Sequence, residues 1–275
     1  MKRTVAFQGE SGAYSEIAAL NYFSRSIKTL PLPTFPAIFN AVKTGQAAAA
    51  VVPIENALAG SVHENYDLLL KYKLPIVGEI ILPISHHLLA LPGVKTRDIR
   101  RVISHPQALQ QCTDFLNGLQ NVRIEPFYDT AGSAKKLVDE KLSDTAAIAS
   151  KEAAEKYGLD ILASRIESNH ENYTRFLIIQ KEPKIPEIGG KTSIVFSFED
   201  APGALFKSLA VFALRDINLL KIESRPLHGK PFNYYFYLDI EGSINERLVK
   251  NALNHLKEIA TFLQVLGSYP KSKAK

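Results

Sequence analysis

From residue 4 to residue 180 the chain alternates apolar runs of strand length with segments of helical period, and that rhythm admits few architectures. Val5 to Phe7 precedes a helix expected from Tyr14, and Ala48 to Val52 precedes one expected from Ser61. Arg101 to Ser104 leads to a helix opening at Pro106, a first-turn position where a missing N–H costs nothing. Val122 to Phe127 comes before a helix near Thr130, Ala146 to Ala149 before one near Lys151, and Phe176 to Gln180 ends the series as a strand. The fold class is α/β. Residues 182–190 interrupt it: Pro183, Pro186, Gly189 and Gly190 with little apolar content read as a linker. Beyond, Thr192 to Phe198 alternates as a strand, Pro202 to Leu214 has helical period, and Asn218 to Arg225 with Phe232 to Ile240 forms a strand pair. Helix Asn245 to Leu256 and strand Phe262 to Leu266 complete a βαββαβ unit, which puts its helices on one sheet face and leaves an edge able to pair with a second copy. The expected division is a first domain over 1–181, a linker over 182–190, a second domain over 191–270, and a solvated tail over 271–275 with Lys271, Lys273 and Lys275.

Ligands of open α/β sheets sit where strands hand over to helices, and four such places are polar here. At Gly9, Glu10, Ser11, Gly12, Ala13, Tyr14 and Ser15, two glycines let backbone N–H groups approach a ligand and the helix N-terminus favours an anion; the same glycines also suit a plain strand-to-helix turn. Pro53, Ile54, Glu55 and Asn56, with Gly60 and Ser61, read as an extended turn offering an acid, an amide and a hydroxyl, and Ser61 equally reads as a helix cap. Ser104, His105, Pro106 and Gln107, with Gln110 and Gln111 one turn on, also place a capping serine beside possible ligand groups. The fourth place runs from Asn169 and His170 through Asn172, Tyr173, Thr174, Arg175 and Phe176. It sets a hydroxyl, a guanidinium and an aromatic ring at the mouth of a buried strand. That suits a small anionic ligand with an apolar ring, and also a strand start whose Arg makes a surface ion pair.

Composition removes several function classes. With 275 residues, 46% of them hydrophobic, the chain can bury a sizeable core. The net charge of +5 is spread without a basic stripe or interleaved aromatics, so nucleic acid is not an expected partner. Cys112 alone excludes an internal disulfide framework and reads as a small packing residue. Met1, Lys2 and Arg3 lead straight into a strand without an apolar secretory segment, and no later run could span a bilayer, so no membrane and a cytoplasmic location are expected. His86 and His87 read as ordinary loop or strand histidines, and no cluster has metal-ligand spacing.

The combination Gly9-x-x-Gly12-x-Tyr14-Ser15, Pro53-Ile54-Glu55-Asn56 with Gly60-Ser61, Ser104-His105-Pro106-Gln107 with Gln110-Gln111-Cys112, Tyr128-Asp129-Thr130-Ala131, and Asn172-Tyr173-Thr174-Arg175-Phe176 resembles prephenate dehydratase, and over essentially the whole chain. After the linker, Pro202-Gly203-Ala204-Leu205 and Glu223-Ser224-Arg225-Pro226 look like the phenylalanine-binding segments of that family's regulatory ACT domain. The resemblance implies two α/β lobes around a cleft, like a periplasmic binding protein, followed by the ferredoxin-like ACT domain. It implies conversion of prephenate to phenylpyruvate, water and carbon dioxide without cofactor or metal, since aromatisation drives the reaction.

By the same resemblance Thr174 contacts the leaving hydroxyl, aided by Asn56, Ser104 and Gln111. Arg175 and the turn amides around Ser11, Gly12, Tyr14, Ser15, Gly60 and Ser61 handle anionic charge, with Glu55 and Phe176 also at the substrate. Phe176 packs either in the sheet or on the substrate ring. Phenylalanine would meet Gly203, Ala204 and Leu205, with Asn218, Glu223, Ser224, Arg225 and Pro226 closing the pocket from a partner chain in a homodimer or homotetramer. The chain opens on the dehydratase motifs, so a fused chorismate mutase activity is not expected. Arogenate dehydratases share these motifs, including Tyr14-Ser15-Glu16. A non-enzymatic amino-acid sensor is the alternative from another class.

Overall fold

The computed structural model describes residues 2–227, 229 and 232–272; Met1, Lys273, Lys275 and with them most of the expected tail lie outside the described residues. Its first lobe is built from β1 (Thr4–Gln8), α1 (Tyr14–Phe23), β2 (Lys28–Leu32), α2 (Phe35–Thr44), β3 (Ala49–Asn56), β4 (Gly60–Ser61), α3 (His63–Tyr72) and β5 (Ile76–Pro83). The chain then crosses to a second lobe of β6 (His87–Ala90), β7 (Arg101–Ser104), α4 (Pro106–Gln111), α5 (Thr113–Asn117), β8 (Arg123–Pro126), α6 (Thr130–Asp139), β9 (Thr145–Ala149), α7 (Lys151–Tyr157) and β10 (Asp160–Ser164). It returns through β11 (Tyr173–Ile179), which inserts between β3 and β5 and pairs antiparallel with both. The sheet orders are β2-β1-β3-β11-β5, with β4 on β3, and β10-β6-β9-β7-β8.

The central strands β1 and β9 are buried on both faces, so their sequences are apolar without alternation: Val5, Ala6 and Phe7 are fully buried, as are Ala146 to Ala149. Alanines in β9 let α6 and α7 lie close, in a core shared with Ala131, Ala134, Ala153 and Leu137. The two crossing segments are tied to each other, Ile84 N–H to Asn172 O at 2.8 Å and Ile166 N–H to His86 O at 2.9 Å. This fold is two-lobed α/β, of the periplasmic-binding-protein type.

Local structure departs from the sequence reading around Pro53. The strand does not stop at Val52; β3 continues to Asn56, because β11 pairs along it and the β4 hairpin folds back on Glu55 and Asn56. Pro53 is tolerated where the register slips between the Arg175–Glu55 and Phe176–Pro53 pairs, leaving Ile54 as the extra residue of a bulge. One consequence is that Pro53 and Asn56 both face the cleft while Ile54 joins the core on the other side. Ser61 does not cap a helix, since α3 begins two residues later with Val62 at its cap position.

The third unit is β12 (Lys191–Ser197), α8 (Ala204–Ala213), β13 (Leu219–Pro226), β14 (Tyr234–Glu241), α9 (Arg247–Ile259) and β15 (Phe262–Tyr269), an antiparallel sheet of order β13-β14-β12-β15. The two helices cover one face through Val211, Phe212, Val249, Ala252 and Leu256. The other face carries Val195, Tyr237, Leu266 and Tyr269 into the same core as Val52, Leu69, Ile76 and Leu177 of the first lobe. Gly267 makes that approach possible: a Cβ there would strike the Ile76 carbonyl.

Candidate active site

A cavity of about 340 Å³ lies between the lobes, in the size range of a small-molecule site. Phe35, Pro53, Val62, Ile84 and Phe176 give it apolar walls, and Tyr14, Ser15, Asn56, Gln111, Asp129 and Thr174 supply polar groups. β11 alternates, so Thr174 and Phe176 point into this cleft from one face of the sheet. Phe176, open in the sequence between core and substrate, is 2% exposed, packs in the core of the first lobe and borders the cleft.

Thr174 Oγ1 accepts a hydrogen bond from Asn56 Nδ2 at 2.9 Å. Asn56 is itself oriented by the backbone, its Oδ1 accepting from Leu58 N–H at 3.1 Å and Ala59 N–H at 2.9 Å. The Thr174 hydroxyl therefore keeps its own hydrogen for a group in the cleft. Asn56 Nδ2 also donates to Asn172 Oδ1 at 2.7 Å, Asn172 Nδ2 to Gln111 Oε1 at 3.0 Å, and His86 Nε2 meets Gln111 Oε1 at 2.9 Å. Burial lowers the His86 pKa and raises that of Tyr14, whose hydroxyl donates to Ser85 O at 2.6 Å and lies 2.9 Å from His86 Nδ1. Asn172 and His86 carry roles here that sequence reading did not assign. Asn172 lay within the motif; nothing in the sequence separated His86 from His87.

Gly60, Ser61, Tyr14 and Ser15 border the cleft; five other expected residues do not. Ser104 is fully buried and spends its hydroxyl on Ile148 O at 2.6 Å, tying β7 to β9, while His105 takes the cap position of α4. Ser11 precedes the cleft-facing turn without bordering the cavity. Gly12, at φ +91°, sits against Ala153, where a Cβ would lie 2.8 Å from Ala153 Cα; its carbonyl accepts from Ser150 Oγ at 2.7 Å, so it joins the lobes. Arg175 and Glu55 lie on the opposite face of the sheet from Thr174. Arg175 Nε is 2.9 Å from Glu55 Oε1, and its Nη1 is 3.2 Å from Glu79 Oε2 and 2.6 Å from Asp239 Oδ2, with Lys191 Nζ 2.8 Å from Glu79 Oε2. The expected anion-binding guanidinium is thus a buried link to the C-terminal sheet, its pKa raised because Asp239 and Glu55 outweigh the cost of burial. Among the described lining residues there is no Lys or Arg, and no group of three or more His, Cys, Asp or Glu is placed to hold a metal. Cys112 is buried, its thiol pushed up to about 12 by desolvation.

In the C-terminal unit Gly203, Ala204 and Leu205 border a cavity of about 290 Å³ with Phe198, Phe232 and Phe236. Asn218, Glu223, Ser224, Arg225 and Pro226 do not border it within one chain. Alternation on β13 turns Lys221, Glu223 and Arg225 towards the first lobe. There Glu223 accepts from Ser61 Oγ at 2.6 Å and lies 3.2 Å from His63 Nε2, Lys221 pairs with Glu55, and Arg225 with Asp67 at 3.2 Å. Asn218 gives its carbonyl to Glu241 N–H at 2.9 Å.

The prephenate dehydratase family model matches residues 5–184, the span that contains both lobes and the cleft. The chain belongs to the prephenate dehydratase family. A chloroplastic arogenate dehydratase/prephenate dehydratase of Arabidopsis thaliana is 52% identical over 97% of this chain and 72% of its own length. Among solved structures, a prephenate dehydratase of Arthrobacter aurescens in complex with L-Phe aligns at TM-score 0.88 and 33% identity, over 97% of this chain and 89% of that one. A protein described as a novel type of quorum quenching acylase aligns at TM-score 0.90 and 35% identity, over 98% of both chains. Members of this dehydratase family are carbon–oxygen lyases, and so is this protein; the sensor alternative falls away. The expected cytoplasmic location is overturned, because the Arabidopsis relatives are chloroplastic. A missing apolar secretory segment bears on secretion, not on plastid targeting, whose leaders are amphipathic rather than apolar.

Proposed function

We propose that this chain converts prephenate to phenylpyruvate, water and carbon dioxide in phenylalanine biosynthesis, with Thr174 as the hydrogen-bond donor to the departing hydroxyl. The observation that carries this is the 2.9 Å bond from Asn56 Nδ2 to Thr174 Oγ1, which leaves the threonine proton free for the cleft. The electron pair of the bond to the ring carboxylate moves into the ring as the C–O bond at the opposite carbon breaks; carbon dioxide leaves, and the hydroxyl takes a proton to leave as water. An aliphatic hydroxyl is a weak acid, so Thr174 stabilises charge developing on that oxygen, and the proton comes through it from water. With Arg175 committed elsewhere, the substrate carboxylates meet neutral donors: the Ser15 hydroxyl and the first-turn N–H groups of α1, in the positive field of its N-terminus. Phe35, Ile84 and Phe176 enclose the ring.

Arogenate is the second reading. Its ammonium makes it less anionic than prephenate, and a cleft bordered by Asp129 and, among the described residues, by no Lys or Arg suits that charge. The C-terminal unit acts as an ACT domain in which L-phenylalanine restrains turnover, with β13 as the edge for a second copy in a homodimer or homotetramer. This is supported by the βαββαβ order, the cavity at Gly203 to Leu205, and the L-Phe bound by the Arthrobacter relative. Inhibition requires that phenylalanine prefer a conformation with a less competent cleft. The test is cofactor-free turnover of prephenate and arogenate side by side, with and without phenylalanine, following both products. Prephenate consumption that falls on adding phenylalanine is expected. Preference for arogenate would move the second reading to first place, and turnover of neither would defeat the dehydratase reading.

A further inference from the structure

His86 has no part in the motifs, yet it is 2% exposed, borders the cleft, and is engaged through both ring nitrogens. The placement of hydrogens around it follows stepwise from the backbone. Leu58 and Ala59 offer only N–H groups, so the Asn56 atom facing them is Oδ1, and Nδ2 faces Thr174 and Asn172. Asn172 must then present Oδ1 to Asn56 and Nδ2 to Gln111, and Gln111 must present Oε1 to Asn172. That same oxygen meets His86 Nε2 at 2.9 Å, so Nε2 carries hydrogen. Burial favours the neutral ring, so Nδ1 is bare, and the one hydrogen of the Tyr14 hydroxyl is shared between Ser85 O at 2.6 Å and Nδ1 at 2.9 Å. Glu167 braces the residue from the second crossing segment, its Oε2 accepting His86 N–H at 2.8 Å.

We propose that His86 is a positioning residue for the dehydration: as its Nε2–H tautomer it fixes the Gln111 amide, and through Asn172 and Asn56 it fixes the direction in which Thr174 offers its proton. The assignment rests on the dehydratase reading of the cleft. His86 moves no proton and touches no reacting atom; its effect is carried by three amides, each of which can turn over by half a rotation if its neighbour does. A ring that lost this tautomer would let Gln111 flip, and the flip would set Asn172 and Asn56 in conflict with the Leu58 and Ala59 amides.

Two substitutions separate this role from simple packing. His86→Gln places an amide N–H near the Nε2 position, whereas His86→Asn reaches only the Nδ1 position. Lost orientation in His86→Asn should lower kcat about tenfold, the equivalent of one hydrogen bond's worth of positioning, with KM within about twofold of wild type. His86→Gln should recover most of the loss, and His86→Asn should add nothing to Gln111→Leu. Independently of activity, long-range 15N-correlated NMR of the wild-type histidines should show His86 protonated at Nε2. Wild-type kcat in His86→Asn, an equal loss in His86→Gln, or an Nδ1–H tautomer would each overturn the proposal. Should wild type turn over neither substrate, the dehydratase reading fails, while the tautomer still decides the hydrogen placement.

Discussion

Replacing Arg175 with alanine should damage stability far more than substrate affinity. The guanidinium is 8% exposed and surrounded by three carboxylates, those of Glu55, Glu79 and Asp239. Its loss leaves Glu79 with Lys191 as its one cationic partner beside the Ser272 N–H, and Asp239 with the Ser193 hydroxyl as its side-chain donor among the described residues. Breaking a buried pair from one side costs about 3–5 kcal/mol, because the remaining charge stays desolvated. For a chain of this size that corresponds to a fall in Tm of roughly 6 to 20 °C. Arg175 lies on the sheet face away from the cavity, so KM for the accepted substrate should change by less than about threefold where the variant is folded. Arg175→Lys should fall between, since an ammonium keeps the charge but cannot serve three carboxylates in a fork. The assay is thermal unfolding by circular dichroism beside steady-state kinetics well below the variant's Tm. A Tm within about 2 °C of wild type, together with a KM raised tenfold or more, would place the guanidinium at the substrate and refute the reasoning.

Thr174→Ala should lower kcat by about a hundredfold or more while leaving KM nearly unchanged, as expected when a donor to a developing oxyanion is removed; unchanged turnover would take Thr174 out of the mechanism. Acid stability should report Glu167. Burial raises the pKa of this carboxyl, but bonds from His86 N–H, His170 and the Ser85 hydroxyl outweigh burial and hold it below the ordinary carboxylate range. The folded pKa is then lower than the unfolded one, so the stabilisation is complete above an unfolded value of about 4.3 and is lost as pH falls through the folded pKa. Tm measured from pH 7 down to about 3 should decline less steeply in Glu167→Gln than in wild type, and parallel curves would contradict it.

Much of the chain was legible before folding was considered in three dimensions. The apolar runs at Val5 to Phe7, Ala48 to Val52 and Ala146 to Ala149 became β1, β3 and β9, because strands buried on both faces must be apolar throughout. The βαββαβ order after the linker was legible because its antiparallel strands alternate. What escaped was of two kinds. β2 carries Pro31 and lies at a sheet edge, so its composition is weak for a strand; it forms because β1 offers it a full parallel register. α2 carries local signals that the rhythm of apolar runs does not register, Thr34 at its cap with Pro36 in its first turn and Gly45 at its end.

At the site, sequence determined which residue types gather at the strand ends, since hydroxyl, amide and apolar ring are set by local motif. It did not determine which way they face. Thr174 and Arg175 are neighbours in the chain, yet the pleat sends one into the cleft and the other into the seam with the C-terminal sheet. Asp239, which holds Arg175, is 64 residues away in sequence, and His86 reaches Gln111 only because both lobes fold against the crossing segments. Contacts of that kind exist only once distant strands are paired, and a single sequence carries no local signal for them.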